Sequence, residues 1–257
     1  MSAAGEPIDW APLDRGLDAY RRRVGRAPGF WLRDDDAVAA TPALDRLLQI
    51  TPSLSDALVL AAIPAGLSAT LAPRLEGTAA RVAVHGWRHA NHAPSGEKKA
   101  EFGAQRPLAA RRAEAEEGLA RLTRAFDARL IPLFVPPWNR IDPAIAPELA
   151  ALGYRGVSTF KPRAGPWAAT GLAQVNTHWD PIDWPRLRAG GPALRPAGAL
   201  IAELAALLQD PRFDAPAAEP IGLLTHHLVH DAETWAFLEA LLMRLEGRVR
   251  WRAPLQA

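Results

Sequence analysis

Cysteine is absent from the 257-residue chain, so it has no disulfides and no thiolate ligands. Any metal site therefore has to be built from imidazoles and carboxylates. No apolar run approaches the ~18 residues that a membrane span requires. The N-terminal stretch MSAAGEPIDWAPLDRGLDAY lacks the basic and apolar regions of a secretory leader, which makes a cytoplasmic location the default expectation. A surplus of one charge is missing too. The formal net charge is +2, with arginines interleaved among Asp and Glu, and this gives no nucleic-acid footprint. Internal repeats and linkers are likewise absent, and the 24 prolines and 19 glycines punctuate periodic segments throughout. What is present is an ordinary globular composition, 49% hydrophobic and 23% charged, in a chain long enough to bury a sizeable core. A single domain over residues 1–257 is the simplest reading.

Two hydrophobic periods alternate along the chain. Asp14 to Val24 reads as an amphipathic helix with Leu13, Leu17 and Tyr20 on one face. Phe30 to Leu32 is a short strand running into Asp34-Asp35-Asp36. Thr41 and Pro42 supply an N-cap and a first-turn proline for a helix through Leu48. Leu58 to Ile63 is apolar throughout, as a strand buried on both faces would be. Gly66 to Leu75 reads as helix, and Val82 to Val84 as the strand leading to His85. A long loop over Asn91 to Arg106 precedes a charged helix from Arg111 to Phe126, whose Arg111 to Arg124 run, like Glu97 to Lys99, is expected to be solvated. Strands are expected at Ile131 to Val135, Arg155 to Thr159 and Ile221 to Leu224. Helices are expected at Pro143 to Leu152, Gly198 to Leu208 and Ala232 to Leu245, and Val249 to Trp251 closes the set. About seven strand–helix units imply parallel pairing, in a barrel or an open doubly wound sheet.

Both architectures collect ligands at the carboxyl ends of their strands. Asp34 to Asp36, His85 with His89, Pro137-Trp138, Asp180 with Asp183, and His226 all fall just past apolar runs, so a parallel barrel would bring them to one rim. Two imidazoles and a carboxylate suit Zn²⁺ or a related divalent ion and leave positions open for water and substrate. A second carboxylate beside them can accept a proton from water, and a separate histidine can protonate a leaving amine. That inventory fits hydrolysis of an amide or ester.

The same clusters, in the same order, resemble the five motifs of the NodB-type polysaccharide deacetylases, carbohydrate esterase family 4. Asp35-Asp36-Ala37 corresponds to the first motif, His85-x-x-x-His89 to the second and Val135-Pro136-Pro137-Trp138 to the third. Asp180-Pro181-Ile182-Asp183-Trp184 matches the fourth, and Leu223-Leu224-Thr225-His226 the fifth. The resemblance implies a distorted (β/α)7 barrel. It implies Asp35 as catalytic base, Asp36, His85 and His89 as ligands of a divalent metal (Zn²⁺ by default), and His226 as general acid. The Trp138 backbone would stabilise the oxyanion, Asp180 and Asp183 would support the acid–base groups, and Pro137, Trp138 and Trp184 would face substrate. The implied substrate is an N-acetylated, less readily an O-acetylated, sugar or sugar conjugate.

Three departures from the pattern matter. The aspartate run leaves two registers, Asp34-Asp35 or Asp35-Asp36, and the small Ala37 favours the second. Val135 stands where the third motif has arginine, so the usual tether of the catalytic Asp is missing, with Arg33 or Arg140 as substitutes. His226 and His227 are adjacent, and strand alternation admits only one to the site; His226 is taken. A catalytically idle, carbohydrate-binding relative is the alternative reading. A lipid-linked or nucleotide-linked precursor and a small acetylated metabolite stay open as substrates, as does the oligomeric state.

Overall fold

The computed structural model describes residues 7–255; the first six residues of the N-terminal stretch read above for a leader lie outside that range. The apolar runs become strands β1 (Gly29–Ala37), β2 (Leu58–Ala62), β3 (Arg81–His85), β4 (Leu130–Val135), β5 (Gly156–Val157), β6 (Trp167–Ala169), β7 (Leu172–Gln174), β8 (Ile221–Thr225) and β9 (Arg250–Trp251). Between them run α1 (Ala11–Val24), α2 (Pro42–Ile50), α3 (Leu71–Arg74), α4 (Leu108–Phe126), α5 (Ala146–Ala151), α6 (Trp184–Arg188), α7 (Ala197–Gln209) and α8 (Ala232–Leu245). The strand order is β6-β7-β5-β4-β3-β2-β1-β8, with β9 on β1, and every pairing is parallel except β6 with β7.

The sheet curls on itself. Beyond β7 the chain forms single bridges from Thr177 to Phe160 and from Trp179 to Leu223, so β7 and its extension stand between β5 and β8. Bridges replace a full ladder at this seam, and the distortion of the expected seven-stranded barrel resides there. Buried strand residues sort by parity. Trp31, Val59, Ala61, Ala83, Leu133 and Val135 fill the interior. Phe30, Leu32, Leu58, Leu60, Val82 and Val84 face the helices, meeting Leu17 of α1, Leu44 of α2, Leu122 of α4 and Leu241 of α8.

Local chemistry fixes several helix starts. The Thr41 hydroxyl accepts from the Leu44 N–H, capping α2, and Asp231 caps α8 through the Thr234 N–H. Three expectations change, and one hairpin was not anticipated. The helix across Gly66 to Leu75 shrinks to a 3₁₀ turn and the four-residue α3, because Ser68 bonds the Thr70 N–H locally and Pro73 has no donor. The strand over Arg155 to Thr159 is regular only at Gly156–Val157. The hairpin of β6 and β7, three residues each, is too short to produce a period in the sequence. Arg111 is buried, not solvated, and donates to Asp142 at 2.8 Å.

Candidate active site

Strand β1 does not end before the aspartates; it carries them. Trp31, Arg33 and Asp35 alternate with Leu32 and Asp34, so Arg33 and Asp35 project to one side and Asp34 to the other. Asp34, fully buried, accepts from the Thr225 hydroxyl at 2.7 Å and the His227 N–H at 3.0 Å, and it pairs with the His227 imidazole. Burial works against its ionisation, but His227 outweighs it and holds the Asp34 carboxyl below its usual range. The reverse holds for His227, where Asp34 overcomes burial and raises the imidazole. This pair ties β1 to β8 and leaves Asp35-Asp36 as the two carboxylates on the other side.

Two consecutive residues of a regular strand cannot face the same way. Asp36 does so because the ladder to β2 slips between Asp34 and Ala37, and its φ is +72°. That bulge swings its carboxylate back over the rim, where Oδ1 lies 3.2 Å from His85 Nε2 and 3.4 Å from His89 Nε2. Asp36, His85 and His89 thereby offer three ligand atoms within 4.8 Å of one another. His85 is oriented by the Val135 carbonyl, 2.9 Å from its Nδ1, which leaves Nε2 toward Asp36. Asp36 Oδ1 is buried and has no hydrogen-bond donor. A cation between these atoms would satisfy it, and the mixed nitrogen–oxygen donor set fits a divalent ion such as Zn²⁺.

The titration directions agree with that environment. Burial resists ionisation of Asp36, but His85 and the other imidazoles override it and hold the carboxyl down. His85 is pulled down by burial yet raised by Asp35 and Asp36, whereas His89 is lowered by burial and by His85.

The loop from His85 to His89 is shaped from below by Glu101, which accepts the backbone N–H groups of Trp87 (3.0 Å), Arg88 (2.8 Å) and Ala90 (3.2 Å). Gly86, at φ +57°, is required there: a Cβ would meet Glu101 Oε2 at 2.2 Å and Pro137 at 2.6 Å. A single glutamate among the mixed charges of this loop has no period or motif, so no signal in the sequence marks Glu101.

Asp35 is gripped by Arg33, two residues before it on the same strand. Nε donates to Oδ1 at 2.8 Å and a terminal nitrogen to Oδ2 at 3.0 Å. The guanidinium is held by the Ser158 hydroxyl at 2.7 Å and by Asn139 Oδ1 at 2.6 Å. Of the two substitutes for the missing motif arginine, Arg33 makes the contact, while Arg140 donates to the Lys99 carbonyl. His226 Nε2 stands 4.0 Å from Asp35 Oδ2, and its ring rests edge-on against Trp184.

The remaining candidates divide. Trp138, at φ +55°, lays its ring 4.4 Å from that of His89, and Pro137 is buried against Gly86. Asp180 accepts the Trp184 indole N–H at 2.9 Å and so reaches His226 only through that indole. Burial pushes its carboxyl up, with His226 opposing. Asp183 caps α6 by accepting the Arg186 N–H, and among the described residues it makes no ion pair with the cluster. Of the seven non-glycine residues with positive φ among the described residues, Asp36, His89, Trp138 and Asn139 all belong to this site. Each such conformation costs roughly 1–3 kcal/mol, so the strain is concentrated where groups must be aimed.

Behind His226, His230 Nε2 accepts the His226 N–H at 3.3 Å, and burial holds the His230 imidazole down at about 4. A histidine depressed in the fold stays neutral while the unfolded chain takes up a proton, so its contribution is lost as pH falls from 6.5 toward 4. That loss amounts to about 3 kcal/mol. Urea denaturation at pH 7 and pH 4.5 should show a steeper acid loss for the parent protein than for His230→Gln. Equal slopes would remove the assignment.

No protein-family model and no curated protein sequence matches the chain. Solved structures do. A family 4 carbohydrate esterase from Streptomyces lividans in complex with acetate superposes with TM-score 0.52 at 15% identity, over 86% of this chain and 89% of that one. A protein assigned as a polysaccharide deacetylase from Mycobacterium smegmatis gives 0.59 at 16% identity, over 88% and 90%. A family 4 pseudoenzyme from Bacillus anthracis gives 0.51 at 13%, over 86% of this chain and 61% of that one. The fold is that of the family 4 deacetylases.

Proposed function

We propose that the protein is a metal-dependent hydrolase that removes acetyl groups from an N-acetylated carbohydrate or a related small amide. The observation that carries this reading is Asp36 Oδ1, buried without a donor and facing two imidazole nitrogens at 3.2 and 3.4 Å, beside the tethered Asp35. Asp36, His85 and His89 would hold a divalent cation, which supplies Lewis acidity toward water and the acyl oxygen. Asp35, fixed by Arg33 through both oxygens, accepts the proton of the attacking water as the new C–O bond forms. His226, across from Asp35, delivers a proton to the departing nitrogen as the C–N bond breaks. The products are acetate and the free amine. The Pro137-Trp138 turn stands beside His89, where its backbone borders the site of the oxyanion.

Elemental analysis of the purified protein should find about one divalent ion per chain, as a three-ligand site with open positions binds one. His85→Ala, which removes a buried ligand, should lose it. Retention of the full metal content in that variant would overturn the assignment. The second reading, an idle carbohydrate-binding relative, has a precedent in the pseudoenzyme that shares this fold. One motive for it is Val135, and Arg33 makes the contact that Val135 cannot. Acetate release from N-acetylated oligosaccharides separates the two readings.

A further inference from the structure

The charges around the site narrow the substrate, on the premise that the hydrolase reading above is right. Of the 30 basic residues only Lys98, Lys99 and Lys161 are lysines. All three lie on loops that follow the carboxyl ends of β3 and β5, on the rim that carries His85 and His89. Arg88 and Arg140 join them there, and all five are exposed. Among the described residues none of the five has an ion-pair partner, whereas the nearby Arg106 and Arg111 are paired with Glu114 and Asp142. The carboxylates of this rim are committed elsewhere: Asp35 to Arg33, Asp36 to the metal site it would form with His85 and His89, Asp180 to the Trp184 indole, Asp183 to the cap of α6, and Glu101 to three backbone N–H groups. Glu97 is exposed and pairs with none of the five. Unpaired like charges repel one another, and a neutral polysaccharide would gain nothing from them.

Next to the catalytic centre lies a cavity of about 540 Å³, a size suited to a small-molecule ligand. Asn139, Arg140, Thr159, Arg163, Gln174 and Trp167 are in its wall, and no carboxylate is. It abuts the machinery directly, because the Asn139 side chain and the Thr159 carbonyl accept from the same Arg33 guanidinium that grips Asp35. Arg163 is partly engaged, donating to the Gln174 carbonyl with Glu219 at 3.9 Å. Arg140 gives one bond to the Lys99 carbonyl, and Lys99 Nζ stands 5.8 Å from the Trp138 ring, so cavity and metal cluster share this corner. Trp167, also in the wall, is 63% exposed and offers a large aromatic face.

We propose that this cavity receives a phosphate or diphosphate ester borne by the acetylated sugar. Arg140 and Lys99 meet the phosphate oxygens, and Trp167 lies under the group beyond them. A planar guanidinium matches phosphate with paired hydrogen bonds, and an exposed indole offers a stacking face. Nucleotide-linked and lipid-linked sugars share this chemistry.

The test compares kcat/KM for acetate release from N-acetylglucosamine 1-phosphate, UDP-N-acetylglucosamine, a prenyl-diphosphate-linked N-acetylglucosamine and neutral chitobiose, with calorimetric binding of UDP measured separately. At low salt the phosphate esters should exceed chitobiose by about tenfold or more, and the margin should shrink as salt screens the rim. Arg140→Gln should remove most of the margin and Arg140→Lys should restore part of it, while Arg22→Gln on the exposed face of α1 changes nothing. Superiority of the nucleotide or of the prenyl compound identifies the source. Equal, salt-independent turnover of all four substrates overturns the proposal and leaves the hydrolase reading standing. UDP binding that Arg140→Gln weakens, with no turnover of any substrate, upholds the cavity and overturns the hydrolase reading. Neither binding nor turnover overturns both.

Discussion

Asp35→Asn is expected to lower kcat for acetate release by roughly 10³-fold, within the range that general-base catalysis supplies. Bound metal should stay near the parent level. The amide keeps the shape of the carboxylate and can still accept one bond from Arg33, but it cannot take the proton of water. Metal is expected to stay because the proposed ligand set is Asp36, His85 and His89, with Asp35 outside it. The variant is less stable, since the buried Arg33 guanidinium loses its counter-charge, so turnover must be measured below its melting transition. Two outcomes would contradict the assignment. Activity within a few-fold of the parent means that Asp35 is not the base, and loss of the metal means that Asp35 is a ligand.

Arg33→Met should be the most destabilising single substitution at the site. Arg33 is fully buried and Asp35 is 3% exposed, so the substitution leaves a carboxylate inside the barrel without its partner. Breaking a buried ion pair from one side costs about 3–5 kcal/mol, because the desolvation of the remaining charge is no longer offset. The thermal midpoint and urea midpoint should both fall, and turnover should fall with them as Asp35 loses its orientation. A second substitution makes this specific. Val135 lies in the same interior cluster as Trp31, at the position where the family pattern has its arginine. Adding Val135→Arg to Arg33→Met should return a guanidinium to the carboxylate from β4 and recover part of both stability and activity. A double variant worse than the single one would show that the tether works only from β1.

Much of this was legible in the sequence. The continuous apolar run of β2, the cap at Thr41 and the long α8 each rest on interactions between near neighbours, which is why pattern alone located them. The polar clusters past the strand ends were visible for the same reason, since parallel strands deliver their carboxyl ends to one rim. Arg33 was within reach as one of two candidates, but nothing in its spacing distinguished it from Arg140. Glu101 and the hairpin at Trp167 left no trace in any pattern, because each is defined by what it touches across the fold.

Residue order by itself determined that a donor set of nitrogen and oxygen only, free of sulfur, would gather at the end of an α/β sheet. Tertiary structure decided which aspartates belong to it. Asp34 is turned outward to His227 by strand parity, and Asp36 is turned back inward by a register slip against β2 and a backbone at φ +72°. Such a slip depends on the partner strand, and no local propensity of Asp34-Asp35-Asp36 could encode it.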